Sequence, residues 1–246
     1  MDWIDWQPVY QDIVNRLSLD SIMDTRATQL LSELLKDINP DPLLQLLDRR
    51  IRNRTVVVCG AGPSLEQHLQ TLKERSDYQD LVFVAADGAV SLLLEKNCAC
   101  DIIVTDLDGD YNHINQATQD GALTIVHGHG DNMDKIREMV PMLGMILGST
   151  QVEPTERTFL WGGFTDGDRA CYVVTDYSPR RIILAGMDFG KVVGKWSKPS
   201  HETHFAAPQR KILKLEIAYE LITTLLDRID IPYTILQSVL GNDEEE

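Results

Sequence analysis

Thr55-Val56-Val57-Val58-Cys59-Gly60-Ala61-Gly62-Pro63-Ser64-Leu65 decides the fold. The run from Thr55 to Cys59 is a continuous β-branched stretch, the pattern of a strand buried on both faces. Two glycines then let the backbone turn sharply and approach a neighbour or ligand closely. Pro63 suits the first position of a helix. Strand, glycine turn and helix in that order open a mostly parallel sheet with helices on both faces, a Rossmann-like α/β architecture.

The alternation continues downstream. Strands are expected at 81–85, 101–105, 122–126, 158–161, 181–185 and 233–236. Helices are expected at 65–75, 89–95, 111–118, 131–140, 168–174 and 208–228. The last of these is expected to turn Ile212, Leu215, Tyr219, Ile222 and Leu226 to one face. Residues 194–208 lack periodicity and read as a loop. Upstream, residues 1–53 form a helical segment, with helices at 3–17, from Ser21 or Asp24 to about 37, and at 43–49. Arg49-Arg50-Ile51-Arg52-Asn53-Arg54 reads as a solvated linker. The chain thus divides into the helical segment 1–53, an α/β catalytic unit 54–240 and an acidic tail 241–246. The Trp-rich first helix is open to two partners, its own domain or a second subunit, so a homo-oligomer stays open.

The 246 residues carry 23 Lys+Arg against 38 Asp+Glu, a formal charge of −15. Phosphate neutralisation by such a chain is disfavoured, so no nucleic-acid partner is expected. A phosphorylated ligand would need a bound cation, a local basic cluster or backbone N–H donors. No apolar run approaches the ~20 residues needed to span a bilayer. No apolar leader opens the chain, and Cys59, Cys98, Cys100 and Cys171 lack zinc or disulfide spacing. Reduced, buried thiols in a cytoplasmic protein are expected.

Open parallel sheets bind ligands at the carboxyl ends of their strands. Here those ends carry Gly60-Ala61-Gly62-Pro63-Ser64, Ala86-Asp87-Gly88, Asp106-Leu107-Asp108-Gly109-Asp110, His127-Gly128-His129-Gly130-Asp131-Asn132 and Gly186-Met187-Asp188. Thr165-Asp166-Gly167-Asp168-Arg169 precedes a helix. A single Asp-Gly is usually a turn or cap. Several on one sheet edge point instead to a hard cation, Mg²⁺ or Mn²⁺, among carboxylates. The glycine turn is a plausible anion cradle, but it lacks the Gly-Lys-Ser/Thr of a phosphate-binding loop. His127 and His129, two residues apart, would hold a transition metal or face a phosphate. Lys191, Lys195, Lys198, Arg210, Lys211 and Lys214 form a second, cationic region that would close over a triphosphate or simply be solvated.

These blocks, in order, resemble the archaeal 6-hydroxymethyl-7,8-dihydropterin pyrophosphokinases of the MptE type, with a core similar to thiamin pyrophosphokinases. The resemblance covers nearly the whole chain. It implies a reaction between two small molecules, ATP and the pterin alcohol, giving AMP and the pterin diphosphate on the way to folate- or methanopterin-type cofactors. It implies Mg²⁺ on Asp106 and Asp108, with Asp131 completing the shell. Gly60, Gly62 and Ser64 would contact a phosphate or the substrate, and Asp87-Gly88 the nucleotide ribose or the pterin. Asp166, Asp168 or Asp188 would accept from the pterin amino-pyrimidinone edge. His127, His129, Asn132 and Thr165 would line the substrate site, and Arg169 and Lys191 would stabilise charge on the transferring group. A metal-dependent phosphohydrolase using His127 and His129, a thiamin-specific enzyme and a non-catalytic nucleotide-binding protein remain as alternatives.

Overall fold

The buried runs become strands, in order β1 (Thr55–Cys59), β2 (Val82–Ala86), β3 (Ile102–Thr105), β4 (Leu123–His127), β5 (Ile146–Ser149), β6 (Thr158–Phe159) and β7 (Arg181–Ala185). A small antiparallel hairpin of β8 (Val192–Val193) and β9 (Phe205–Ala206) precedes β10 (Tyr233–Ile235). The structure, a computed structural model, describes residues 1–237; the acidic tail expected over 241–246 lies outside them. One eight-stranded sheet runs β10-β7-β1-β2-β3-β4-β5-β6. Every pairing in it is parallel. The chain steps outward from β1 to β6, then returns to place β7 on the other side of β1. Such a reversal opens a crevice at the carboxyl edge.

The helices are α1 (Trp3–Leu17), α2 (Ser21–Leu34), α3 (Asp41–Ile51), α4 (Leu65–Lys73) and α5 (Ala89–Glu95). They continue as α6 (Tyr111–Gln119), α7 (Met133–Met139), α8 (Asp166–Asp176) and α9 (Gln209–Leu226). Strand side chains alternate between faces. Val56 and Val58 of β1 join the core under α1, α3, α8 and α9, while Val57 and Cys59 join the core under α2, α4, α5, α6 and α7. The amino-terminal helices therefore divide between both faces of the sheet. Trp6, 1% exposed, packs within its own chain and donates its indole N–H to the Gln151 carbonyl at 3.0 Å.

Several sequence expectations change. β5 was not anticipated, because it is short and contains Gly148. That glycine is needed, since a Cβ there would lie 2.7 Å from the Arg157 carbonyl of the next segment. The loop at 194–208 contains β9 and is anchored by the buried Trp196. Arg50 is a clamp rather than part of a solvated linker. Its guanidinium donates to the carbonyls of Asp101 and Gly121, at the amino ends of β3 and β4. On α9 the buried face is Ile217, Ala218, Leu221, Ile222 and Leu226. Tyr219 is 54% exposed and instead meets the Phe189 ring at 5.6 Å. Apolar residues occupy two adjacent faces of α9, and the sheet takes the one with small Ala218. Among the described residues, no helix is long and apolar enough to cross a membrane.

Asp24 ties α2 to the sheet edge. On α2 it is in phase with the buried Ala27, Thr28 and Leu31. Its carboxylate accepts from Tyr10 Oη at 2.6 Å, Gln151 Nε2 at 2.7 Å and Gly130 N at 2.8 Å. Asp24→Ala would leave those donors buried and unpaired. Urea unfolding should show a loss of about 3 kcal/mol. Asp20→Ala, which removes only the exposed cap accepting from Ile22 N and Met23 N, should cost about 1 kcal/mol. Equal losses would deny Asp24 its hub role.

Candidate active site

A cavity of about 760 Å³ opens along the carboxyl ends of β7, β1, β2, β3, β4 and β5. Its centre is acidic. Asp87 follows β2, Asp106 follows β3 and Asp166 begins α8, and one carboxylate oxygen of each lies within 4.8 Å of the others. Three elements far apart in sequence thus bring hard oxygen donors to one point.

Asp87 has a left-handed backbone, φ +41°. Non-glycine residues adopt this at some strain, a feature that concentrates at functional sites. Its N–H donates to the Val104 carbonyl at 2.8 Å, and its Oδ1 accepts from Thr105 Oγ1 at 2.6 Å and Gly109 N at 3.0 Å. Burial, reinforced by the Asp106 charge, pushes the Asp87 carboxyl up to about 7 against the pull of those two donors. The adjacent Gly88 admits the β8–β9 loop, for a Cβ there would lie 1.9 Å from the Trp196 carbonyl.

Asp106 stays below the usual carboxylate range. Burial works to raise it, but the His129 contact and the Lys198 charge outweigh that and the repulsion of Asp108. His129 Nδ1 accepts from Asp131 N at 3.2 Å, so its proton sits on Nε2, 3.5 Å from Asp106 Oδ2. Asn132 fastens the two strand ends together, donating to the carbonyls of Asp106 and His127, both at 2.8 Å. It is buried and serves the backbone.

Asp108 turns to a different partner set. Lys135 and Lys198 both pair with it. Burial opposes them, yet the two ammonium groups bring its carboxyl down to about 2. Asp131 is exposed at the rim. The carboxylates that converge are therefore Asp87, Asp106 and Asp166, whereas the sequence reading grouped Asp106, Asp108 and Asp131. Spacing along the chain could not reveal that Asp108 faces lysines.

Burial and the charges of Asp106 and Asp87 push Asp166 well above its usual range. Its turn is rigid. Asp168 accepts from Phe164 N at 2.6 Å, Thr165 N at 2.7 Å and Thr165 Oγ1. Arg169, 1% exposed, donates to the carbonyls of Gly163 and Phe164 at 2.9 and 3.1 Å. Arg169 thus braces the loop from beneath and is not part of the cavity wall. Lys191 is exposed and likewise outside the wall. The lysines that do line it are Lys198, Lys211 and Lys214. Burial, then the Lys214 charge, lowers Lys211 despite the attraction of Asp166.

The glycine turn departs from the expected anion cradle. Gly60 N and Gly62 N donate to the carbonyls of Ala185 and Gly186 at 2.8 and 3.0 Å, and Ser64 N donates to Asp188 Oδ2 at 3.1 Å. Asp188 supplies from within the chain the negative charge that a helix start favours. A Cβ on Gly62 would lie 2.0 Å from Asp188 Oδ2. Close packing of the β1 and β7 loops explains the glycine, and Ser64 is buried with its Oγ 3.3 Å from His68 Nδ1.

Beyond β4, His127 is buried with Nδ1 3.3 Å from Ser149 Oγ. Burial, with the charges of Arg169 and His129, holds it well below the usual histidine range, so the ring is neutral. Sequence reasoning did not find Asp24, Lys135 or Gln151 for this region. The one available signal was an aspartate in phase with the apolar stripe of α2.

A family model described as 6-hydroxymethylpterin diphosphokinase MptE-like matches residues 28–194. The 6-hydroxymethyl-7,8-dihydropterin pyrophosphokinase of Methanocaldococcus jannaschii is 38% identical over 95% of this chain and 99% of its own. The enzyme of that name from Pyrococcus furiosus is 40% identical over 92% of this chain and 94% of its own. The chain belongs to the MptE-like 6-hydroxymethylpterin diphosphokinase family. The same-named enzyme of Methanothermobacter thermautotrophicus is 38% identical over 91% of this chain and 93% of its own. Among solved structures, a MAf glycosyltransferase from Magnetospirillum magneticum AMB-1 aligns with a TM-score of 0.48 at 13% identity, over 80% of this chain and 38% of that one. As a family member the chain is a diphosphotransferase, and the acidic cluster lies at the carboxyl edge of its sheet.

Asp87 gives this cluster a pH signature. Its folded value of about 7 exceeds the ordinary 3.8. Between those values the folded chain holds a proton that the unfolded chain has released, so folding is penalised as pH rises. Without divalent cations, the stability of the wild type relative to Asp87→Asn should fall from about pH 4 to about pH 7 and level off above. Urea unfolding across that range measures it. A flat or rising difference would mean that Asp87 does not feel the cluster.

Proposed function

We propose that this chain transfers a pyrophosphoryl group from ATP to the hydroxymethyl group of 6-hydroxymethyl-7,8-dihydropterin, releasing AMP, in a folate- or methanopterin-type route. The observation that carries the reading is the convergence of Asp87, Asp106 and Asp166 beside lining lysines in one large cavity. The relatives' printed names support the acceptor.

The donor set fits Mg²⁺, a hard cation that takes carboxylate oxygens and leaves sites for phosphate. Asp87, Asp106 and Asp166 would hold it, and when bound it would neutralise charge on the ATP phosphates. Burial, then the neighbouring carboxylate charges, raises Asp87 and Asp166, and a divalent cation held among them would compensate that charge. In the reaction, the pterin hydroxyl oxygen bonds to the β-phosphorus and the bond from that phosphorus to the α,β-bridging oxygen breaks. AMP keeps the electron pair, and the hydroxyl proton is released.

Such transfers depend on positioning and charge neutralisation. Lys198 and Lys211 supply positive charge at the cavity wall. Asp108 keeps Lys198 and Lys135 close to the acidic centre. His129 orients Asp106, and Arg169 with Asp168 braces the turn that carries Asp166. Among the described residues, the carboxylate group suited to an ion includes no histidine. The proposed cation site therefore rests on carboxylates, with His129 beside Asp106 rather than in the ligand set.

AMP formation from ATP and Mg²⁺ should require 6-hydroxymethyl-7,8-dihydropterin and should not occur with thiamin. Asp106→Asn should lower kcat by about a thousandfold with an unchanged circular dichroism spectrum. AMP with thiamin only, phosphate release without any acceptor, or an active Asp106→Asn would each contradict the proposal.

A further inference from the structure

His127 is 2% exposed, lines the cavity, and has an Nε2 that makes no hydrogen bond of normal length, with the Gln151 side chain as a polar neighbour of the ring. Its other ring nitrogen is engaged with Ser149 at 3.3 Å. A buried polar atom left unpaired is unfavourable, and in a cavity wall it is a group waiting for a ligand. Gln151 and Asp24 line the same wing, and the ring of His129 stacks on that of His127 at 6.0 Å.

Resting on the pyrophosphokinase reading above, we propose that this wing, at the ends of β4 and β5, is the acceptor-heterocycle subsite. In it His127 Nε2 hydrogen-bonds a ring heteroatom or exocyclic group of the pterin and so selects the acceptor. The strand order separates this wing from the one at β7 and β1, with the acidic centre of β2 and β3 between them. The two wings differ in chemistry. Gly60, Ala61, Gly62, Met187, Val192 and Val193 make the far wing largely backbone and apolar surface, with the Asp188 carboxylate held there by Ser64 N. The His127 wing is more polar and carries the buried Asp24 carboxylate, which already accepts from Tyr10, Gln151 and Gly130.

Reach separates acceptor from nucleobase. The acceptor ring is joined to its reacting oxygen by one methylene. The adenine is separated from the β-phosphorus by ribose and the α-phosphate. The ring bound next to the carboxylates should therefore belong to the acceptor. His127 stacks on His129, whose Nε2 is 3.5 Å from Asp106, so a ring at His127 is that neighbour. An amino-pyrimidinone edge presents adjacent donors and acceptors, one of which the His127 imidazole can meet, while the Gln151 amide N–H and the Asp24 carboxylate hold each other in place beside it. A site built to hydrogen-bond a substrate group discriminates strongly against compounds lacking it.

The test is His127→Phe in steady-state kinetics, with both substrates varied. The KM for the pterin alcohol should rise by about tenfold or more while that for ATP stays within about twofold. A raised KM for ATP with a normal pterin KM, or no change in either, would overturn the subsite while leaving the pyrophosphokinase reading intact. A wild type that forms no AMP with the pterin would overturn both. If the variant does not fold, wild type carrying nitrogen-labelled histidine gives the answer by NMR. The His127 Nε2 resonance should move on adding 6-hydroxymethylpterin and not on adding ATP. Movement with ATP alone, or none at saturating pterin, would overturn the assignment.

Discussion

The crowding of Asp87, Asp106 and Asp166, partly withdrawn from water, is the constraint around which the carboxyl edge of the sheet is organised. Like charges this close, partly withdrawn from water, raise one another's pKa unless something compensates. The three residues are placed by separate sets of hydrogen bonds, which oppose their drifting apart. Thr105 and Gly109 hold Asp87, His129 and the Asn132 bridge hold Asp106, and the Asp168–Arg169 brace holds the start of α8. The left-handed backbone at Asp87 is part of the same arrangement. Strain and repulsion kept in place by surrounding hydrogen bonds are the preorganisation that the proposed cation and its phosphate ligands would use.

The amino-terminal segment completes this edge. α1 and α3 cover one face of the sheet and α2 the other. Through Asp24, α2 reaches Gly130 in the β4 loop and Gln151 beyond β5, while the Trp6 indole fastens to the same Gln151 from α1. Thr28 and Thr150 add a hydroxyl contact of 2.8 Å. Helices that precede the sheet in sequence thereby form a wall of the cavity. Damage to their packing should reach the site through the loops after β4 and β5.

Much of the fold could be read from periodicity. The unbroken β-branched run before Gly60 and the acid-bearing strand ends sufficed to define a parallel sheet and to point to the edge that carries the cavity and the acidic cluster. Periodicity failed at β5, where Gly148 interrupts the apolar run, and on α9, where two apolar faces compete. At the site, sequence order told which residues follow each strand but not where their side chains turn. Asp108 and Asp106 are two apart, yet one meets lysines and the other the carboxylate cluster. Ser64, Asn132 and Arg169 carry suitable chemistry but spend it on backbone groups and neighbouring side chains. Asp24 escaped notice because a polar residue on a helix is ordinarily solvated, and only its phase with Ala27 and Leu31 betrays burial.

Anomalous diffraction from crystals grown with Mn²⁺ and α,β-methylene-ATP would test the central claim most directly. The account predicts a manganese peak coordinated by oxygens of Asp87, Asp106 and Asp166 and by the nucleotide phosphates. A peak on Asp108 and Asp131, or between His127 and His129, with those three carboxylates unligated, would contradict it.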